Sequence, residues 1–337
     1  MKTIGFKTSY PIEHNESFIE FETKTPTPTG RDLLVKIEAI SVNPVDYKIR
    51  ENSAKGKILN TPKIIGWDAV GTIEAVGDKT ELFNVGDTVF YAGDITRPGT
   101  NAEYQLVDER IVGKRPTNIS LEEAAAMPLT SLTAWEILFD RIRISSEKDK
   151  GKSILIIGGA GGVGSIAIQL AKKVAGLNVI ATASRPETIE WSKKMGADYV
   201  VNHYDLVNEV HKAGFKEVDF ILDFVDVDLY WDAFVELIKP QGRIGSISDP
   251  AKPVNLKQLK SKSVSFHWEL MFTRSMFNTY DMIEQHHIFN TLADLLDDGT
   301  IQSTLTTTLN GFSVENLKKA HTYQETGKAI GKTVIKF

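Results

Sequence analysis

Residues 152–171 read KSILIIGGAGGVGSIAIQLA, and this stretch decides the class of fold. Its first part, Ser153-Ile154-Leu155-Ile156-Ile157, is a short β-branched apolar run with the length of a strand buried in a parallel sheet. The middle, Gly158-Gly159-Ala160-Gly161-Gly162-Val163-Gly164, is a turn that a glycine-rich backbone makes readily. Beyond it, Ile166, Leu170 and Lys173 fall at helical spacing among good helix formers. Strand, turn and helix form one unit. Within it, Gly159, Gly161 and Gly164 have the spacing of a dinucleotide-binding turn: a tight bend, a close backbone approach to pyrophosphate, and close helix–strand packing. The N–H groups of Gly162, Val163 and Gly164 then stand at the positive end of the helix and favour phosphate. A glycine-rich turn can also be purely structural, but the strand before and the helix after favour a cofactor. No Lys-Ser or Lys-Thr follows the glycines, which argues against a nucleoside-triphosphatase loop.

Outward from this unit, strands and helices alternate as a doubly wound α/β sheet requires. Asn178–Ala183 reads as the second strand, 199–203 as the third, Val218–Phe224 as the fourth and 242–247 as the fifth. At the end of the second strand an Asp or Glu would read a ribose hydroxyl, and an Arg would accommodate a 2′-phosphate. Ser184-Arg185-Pro186 stands there, so the sequence predicts NADPH over NADH. Arg185 as a solvated turn residue over the adenine is the other reading.

Residues 1–110 instead alternate short β runs with turn clusters, as in 33–40, 70–77 and 85–90. This is a β-rich domain. Ser120-Leu121-Glu122-Glu123 is a capping box opening a helix over 121–127, and Pro128 ends it before a second helix. Residues 282–297 and 313–326 have amphipathic helical patterns, and 331–337 reads as a last strand. With 337 residues there is chain for two domains, each with its own core. A hydrophobic share of 42% and a charged share of 25% are those of an ordinary globular protein. No apolar run has membrane-spanning length and the N-terminus lacks a signal-peptide core, so the expectation is a cytoplasmic protein with no membrane partner. The net charge of −5 speaks against a nucleic-acid partner. Cysteine is absent, which removes disulfides, thiolate metal sites and thiol nucleophiles.

Several motifs in order extend the reading. They are Asn43 with Asp46; Gly66-x-Asp68-x-x-Gly71-x-Ile73-x-x-Val76-Gly77; Val85-Gly86-Asp87-x-Val89; Pro128-Leu129-Thr130-x-x-Thr133-Ala134; and the glycine turn. Over nearly its whole length the chain resembles the medium-chain dehydrogenase/reductase superfamily. The resemblance implies a GroES-like catalytic domain, residues 1–127 with 268–337, around a Rossmann NADP-binding domain, residues 128–267. It also implies a homodimer. Zinc alcohol dehydrogenases of that family place a cysteine in the first loop, a His-Glu pair in the second and a four-cysteine lobe after it. This chain has Trp67-Asp68 in the second loop and no cysteine. Its seven histidines form no ligand constellation, and Glu284-Gln285-His286-His287 reads as a solvated helix face. No metal is expected. The chain is similar to the zinc-independent, quinone-oxidoreductase-like branch.

The resemblance also assigns site residues. Lys48 and Tyr47 lie in a loop that faces the nicotinamide in the family and are the candidate donors to an acceptor oxygen, with a surface-charge or packing role as the alternative. Asn43 and Asp46 orient that loop or the nicotinamide ribose, and Thr130 meets the carboxamide. Asn202 and His203 fall at the adenosine end, Phe224 near a ribose, Ser246 or Ser248 beside the nicotinamide, and Lys332 near the cofactor. Phe272 is a candidate pocket residue, with core packing or a dimer seam as the other reading. The glycine- and proline-punctuated loop 90–104 offers Tyr91 and Asn101 as further pocket residues. The expected activity is NADPH-dependent hydride transfer to a quinone or an α,β-unsaturated carbonyl. The alternatives are a metal-free reductase of simple aldehydes or ketones, and an NADPH-binding protein of low turnover acting as sensor, structural protein or nucleic-acid binder.

Overall fold

The computed structural model describes residues 1–337. The chain divides into two compact units, Met1–Leu132 with Phe272–Phe337, and Thr133–Met271. The first crossing therefore falls inside the helix Pro128–Trp135 rather than at its start, and the return falls a few residues beyond 267.

The spine of the first unit is Asp32–Ser41. Leu33, Leu34 and Val35 are buried, then Lys36 turns outward and Ile37 inward, the alternation of a half-covered strand. Its final residues Ala39, Ile40 and Ser41 are buried again because the last strand, Lys332–Lys336, pairs antiparallel there. Asp68–Val76 runs antiparallel along its length, and Tyr104–Asp108 pairs with its first half. Thr88–Tyr91 and Val112–Lys114 continue the sheet on one side, and Leu305–Asn310 lies parallel to the last strand on the other. The capping box at Ser120 forms as expected, but the helix it opens is short, Leu121–Ala125, and Pro128 begins the next helix.

The helix Glu284–Asp297 corrects one sequence expectation. Gln285 is buried, and His286 donates through Nδ1 to the Val112 carbonyl at 2.7 Å while packing edge-on against Phe83. Glu284 and His287, which face each other one turn apart, keep the expected solvated character. The pattern misled because two adjacent histidines look polar, whereas burial depends on which of them the helix turns inward.

The second unit carries six strands, all parallel, in the spatial order Tyr199–Val201, Asn178–Thr182, Ser153–Ile157, Val218–Asp223, Ile238–Ser246 and Ser265–Trp268. This is the doubly wound order, with the reversal between Ser153–Ile157 and Val218–Asp223. Every residue of Ser153–Ile157 is buried, as its unbroken apolar run requires. The helix Gly162–Gln169 after it widens into a π-helical turn over Leu170–Val174, and a second π-helical stretch, Glu136–Arg141, follows Trp135. No helix of the chain is long and apolar enough to cross a membrane.

Glu136 and Arg141 of that second π-helical stretch meet Glu269, and the two acids form a buried pair. Arg141 donates through Nη2 to Glu136 at 2.9 Å and through Nε to Glu269 at 2.7 Å, and both carboxyl side chains are fully shielded. One guanidinium faces two acids, so burial and the nearby Glu136 push the Glu269 carboxyl up to about 9. An unfolded glutamate releases its proton near 4.5, so the folded chain holds more protons between the two values, and stability falls as pH rises through that window. Glu269→Gln should flatten this decline, seen as a denaturation midpoint that changes less than wild type between about pH 5 and 9.

Candidate active site

In the second unit the glycine turn stands at the carboxyl end of Ser153–Ile157, beside the strand-order reversal where α/β sheets bind ligands. Each glycine has a separate steric reason. A Cβ on Gly164 would lie 2.1 Å from the Gly158 carbonyl oxygen, so only glycine lets the helix start so close to the strand end. A Cβ on Gly159 would lie 2.8 Å from Ala181 Cβ of the neighbouring strand. On Gly161 it would meet only the Gly158 carbonyl, at 3.5 Å, so this glycine leaves an open face for a ligand. Gly158 donates to Thr182 Oγ1 at 2.9 Å, and Gly161 caps the helix. The N–H groups of Gly162, Val163 and Gly164 begin that helix, where first-turn donors have no intrahelical acceptor. This cradle fits the pyrophosphate of a dinucleotide.

Around it lie the other cofactor candidates of this unit. Arg185 caps the helix Pro186–Met195 and pairs with Glu187 at 3.2 Å, its side chain 38% exposed and so within reach of a ligand. Ser184 Oγ is 3.2 Å from Nε2 of His203, whose Nδ1 is 3.2 Å from the Tyr230 hydroxyl. Phe224 is half-buried after the strand Val218–Asp223. The Ser246 hydroxyl, in contrast, is fully buried and donates to Asp223 Oδ2 at 2.8 Å. Ser248 donates to the same oxygen, while Asp223 Oδ1 accepts from the backbone of Val225 and Asp226. The Ser246 and Ser248 hydroxyls thus order the turn 223–227 from beneath, a role their sequence positions did not announce.

In the first unit the focus is Asp68, a residue the sequence placed in a motif but gave no role. Its Oδ2 accepts from Ser41 Oγ at 2.5 Å, Asn43 Nδ2 at 2.7 Å and Lys332 Nζ at 2.9 Å, and its Oδ1 accepts from the Leu129 backbone at 2.6 Å. Lys332 also donates to Asn43 Oδ1 and to the Val42 carbonyl. With only 2% of its side chain exposed, Lys332 is no free strand-end charge; its ammonium is already matched by protein acceptors. Asn43 caps the helix Pro44–Asn52, and Asp46 closes the capping box by accepting from the Asn43 N–H at 2.6 Å. Asn43 and Asp46 are both buried and therefore orient the loop. Burial pushes the Asp46 carboxyl up to about 7, against the pull of the Asn43 N–H and Lys332.

Tyr47 and Lys48 follow on the same helix. Lys48 is exposed, and Tyr47 is half-buried, with burial and then Glu51 and Glu325 raising its pKa and keeping the phenol protonated. Arg50, one turn on, is not a surface charge: it is buried and pairs with Glu325 at 2.6 Å. Thr130 is buried and its hydroxyl donates back to the Met127 carbonyl at 3.3 Å. Tyr91 is fully buried with its hydroxyl unbonded, and Phe272 is buried edge-on against Trp67, ring centres 5.9 Å apart. Both are packing residues in this structure. Asn101 is buried as well, and its amide nitrogen has no partner. A cleft of about 260 Å³ beside Asp94, Arg97 and Asp108 is lined by none of these candidates.

Two family models match, the alcohol dehydrogenase GroES-like domain over residues 29–117 and the zinc-binding dehydrogenase over residues 162–296. A zinc-type alcohol dehydrogenase-like protein of Staphylococcus aureus is 47% identical, the match covering 99% of both chains. The 2-methylene-furan-3-one reductase of Solanum lycopersicum is 30% identical over 97% of this chain and 78% of its own. An NADPH-dependent alkenal/one oxidoreductase of Arabidopsis thaliana is 31% identical over 70% of this chain and 60% of its own. Among solved structures, a candidate zinc-dependent alcohol dehydrogenase from Rhizobium etli superimposes with a TM-score of 0.95 at 47% identity, covering 100% of this chain and 98% of the other. The quinone oxidoreductase of Coxiella burnetii does so with a TM-score of 0.81 at 26% identity, covering 100% and 99%. The chain belongs to the medium-chain dehydrogenase/reductase superfamily and is an oxidoreductase of that family.

The description of one family model implies zinc, and the residues present do not fit it. No three His, Asp or Glu side chains converge on a point that would hold a metal ion, and no cysteine exists to add a thiolate. In the second loop, Trp67 is fully buried and Asp68 already accepts four hydrogen bonds.

Two measurements test this site. Lys332→Met should cost about 3–5 kcal/mol of stability in denaturant titration, because it leaves the Asp68 carboxylate buried without its cation. Asp46→Asn should act through pH. The folded carboxyl keeps its proton up to about 7 and the unfolded one loses it near 3.8, so wild-type stability falls as pH climbs between those values. The Asn variant should lack that fall.

Proposed function

We propose that this protein is an NADPH-dependent reductase that transfers hydride, without zinc, to a quinone or an α,β-unsaturated carbonyl. The observation that carries the reading is the second loop, where Trp67 and Asp68 offer no metal donor set and leave polarisation of the acceptor to hydrogen-bond donors. Hydride addition to a simple ketone builds a strongly basic alkoxide, which calls for a Lewis acid or a firm proton donor. Addition to a conjugated acceptor builds an enolate or quinol oxygen, a weaker base that neutral donors can stabilise. The relatives named as a methylene-furanone reductase and an alkenal/one oxidoreductase support the same class of acceptor.

The bound nicotinamide would supply the hydride. The cradle Gly159–Gly164 would hold its pyrophosphate, and Ser184 and Arg185, with no acid at the strand end, favour a 2′-phosphate over a bare ribose. Tyr47, its phenol kept protonated, donates a hydrogen bond to the acceptor oxygen, and Lys48 or solvent delivers the proton that completes reduction. Asn43 and Asp46 fix the start of their helix. We place the protein in the cytoplasm as a homodimer, with the edge strand Ser265–Trp268 as the seam; Trp268 on it is 50% exposed and Leu270 just beyond it 51%.

The test is oxidation of NADPH and NADH by chelator-treated protein against 1,4-benzoquinone, an enal and a simple aldehyde. The expected result is NADPH-preferring turnover of quinone or enal, unchanged by chelator, with kcat lowered about 10–100-fold in Tyr47→Phe. Activity that returns only with added Zn²⁺ would refute the metal-free mechanism. Tight NADPH binding without turnover of any acceptor would point to a binding protein.

A further inference from the structure

At the carboxyl edge of the second unit, Tyr230, His203 and Ser184 form a chain of hydrogen bonds, hydroxyl to imidazole to hydroxyl, with both links at 3.2 Å. Three elements meet there: the end of the strand Asn178–Thr182, the turn after Tyr199–Val201, and the helix Val227–Leu237. Tyr230 is buried, while His203 and Ser184 are half-buried, so the chain runs from the interior outward and ends in a hydroxyl beside Arg185. The Tyr204 ring lies tilted on the imidazole, 4.3 Å away, and is itself 81% exposed.

The arrangement suits two protonation states. In neutral imidazole one nitrogen donates and the other accepts, and each hydroxyl can rotate to serve either. In imidazolium both nitrogens donate, so the oxygens of Tyr230 and Ser184 both accept. The Ser184 O–H is then forced outward as a donor. A dianionic group in front of Ser184 and Arg185 favours that second state in two ways, by attracting the cation and by accepting from the serine.

The charged groups around the ring have partners of their own. Arg185 on the strand-end side is paired with Glu187, and Asp205 on the histidine's own turn accepts from Asn208. On the tyrosine side, Asp223 is occupied by serine hydroxyls and backbone N–H groups, and Asp226 caps the helix Val227–Leu237. No carboxylate is hydrogen-bonded to the imidazole, whose two partners are both hydroxyls.

We propose that Tyr230, His203 and Ser184 form a proton-linked selector for the adenosine phosphate, in which binding of the 2′-phosphate draws one proton from solvent onto His203. The proposal rests on NADPH as the cofactor and adds what neither Arg185 nor the glycine cradle provides: a cofactor preference that depends on pH. His203 is the specificity residue, and Tyr230, which does not reach the ligand, is the positioning residue that accepts from the imidazolium.

The experiment is calorimetric binding of adenosine 2′,5′-bisphosphate and adenosine 5′-monophosphate at pH about 7.5, where a phosphate is almost fully dianionic and has little proton of its own to exchange. Titrations in two buffers of different ionisation enthalpy count the protons taken up. Wild type should take up a fraction of a proton with the bisphosphate and none with the monophosphate. His203→Gln should abolish the uptake and lose about tenfold of the preference for NADPH over NADH, the worth of one charge-assisted hydrogen bond. Tyr230→Phe, which keeps the ring in its packing, should reduce the uptake and keeps the test open if the glutamine variant folds poorly. Preference for NADPH with no proton uptake, or uptake that persists in both variants, would overturn the selector and leave NADPH as the cofactor. NADH binding as tightly as NADPH would overturn both.

Discussion

Four groups from three separate pieces of chain donate to the side chain of Asp68. Ser41 closes the central strand, Asn43 caps the next helix, the Leu129 backbone belongs to the helix at the unit boundary, and Lys332 opens the last strand. A carboxylate removed from water must have its lone pairs filled, and only this one convergence of segments fills them. Such an ion pair adds little net stability over a well-packed apolar core. Its consequence here is positional. It sets where the turn 41–43 lies, and through the Asn43 cap it sets the start of the helix that carries Tyr47 and Lys48.

The second unit uses the same device. Asp223 is buried at a strand end and accepts from two serine hydroxyls and two backbone N–H groups, which fixes the turn after its strand. The two carboxylates differ in one respect that matters chemically. Asp68 faces an ammonium, whereas Asp223 faces only the neutral dipoles of serine hydroxyls and backbone N–H groups. Around these fixed points, the adjustable groups are the half-buried ones: Tyr47 in the first unit, Ser184 and His203 in the second.

Much of this was legible in the sequence, and the reason is local. An all-apolar five-residue run followed by Gly159, Gly161 and Gly164 admits few conformations, because each glycine stands where a Cβ would collide or would close the ligand face. The capping box at Ser120 likewise involves residues three apart, whose geometry the backbone itself supplies, whereas the same box at Asn43 with Asp46 emerged only in the structure. The absence of cysteine needs no structure to interpret. Burial of polar groups was less legible. Arg50, His286 and Lys332 look like surface residues in the sequence, yet Arg50 and Lys332 are buried and His286 half-buried, each against a partner more than a hundred residues distant, Glu325, Val112 and Asp68 respectively.

The sequence by itself thus determined the two kinds of domain, the glycine cradle and the residue types that can meet a cofactor, since these depend on short-range sterics and hydrophobic periodicity. Only the tertiary structure decided which polar side chains remain available for chemistry. That choice depends on long-range pairing. Lys332 is consumed by Asp68, and the Ser246 hydroxyl is consumed by Asp223. His203 is held between Ser184 and Tyr230, because a strand end, a turn and a helix far apart in the chain bring their polar groups within hydrogen-bonding distance.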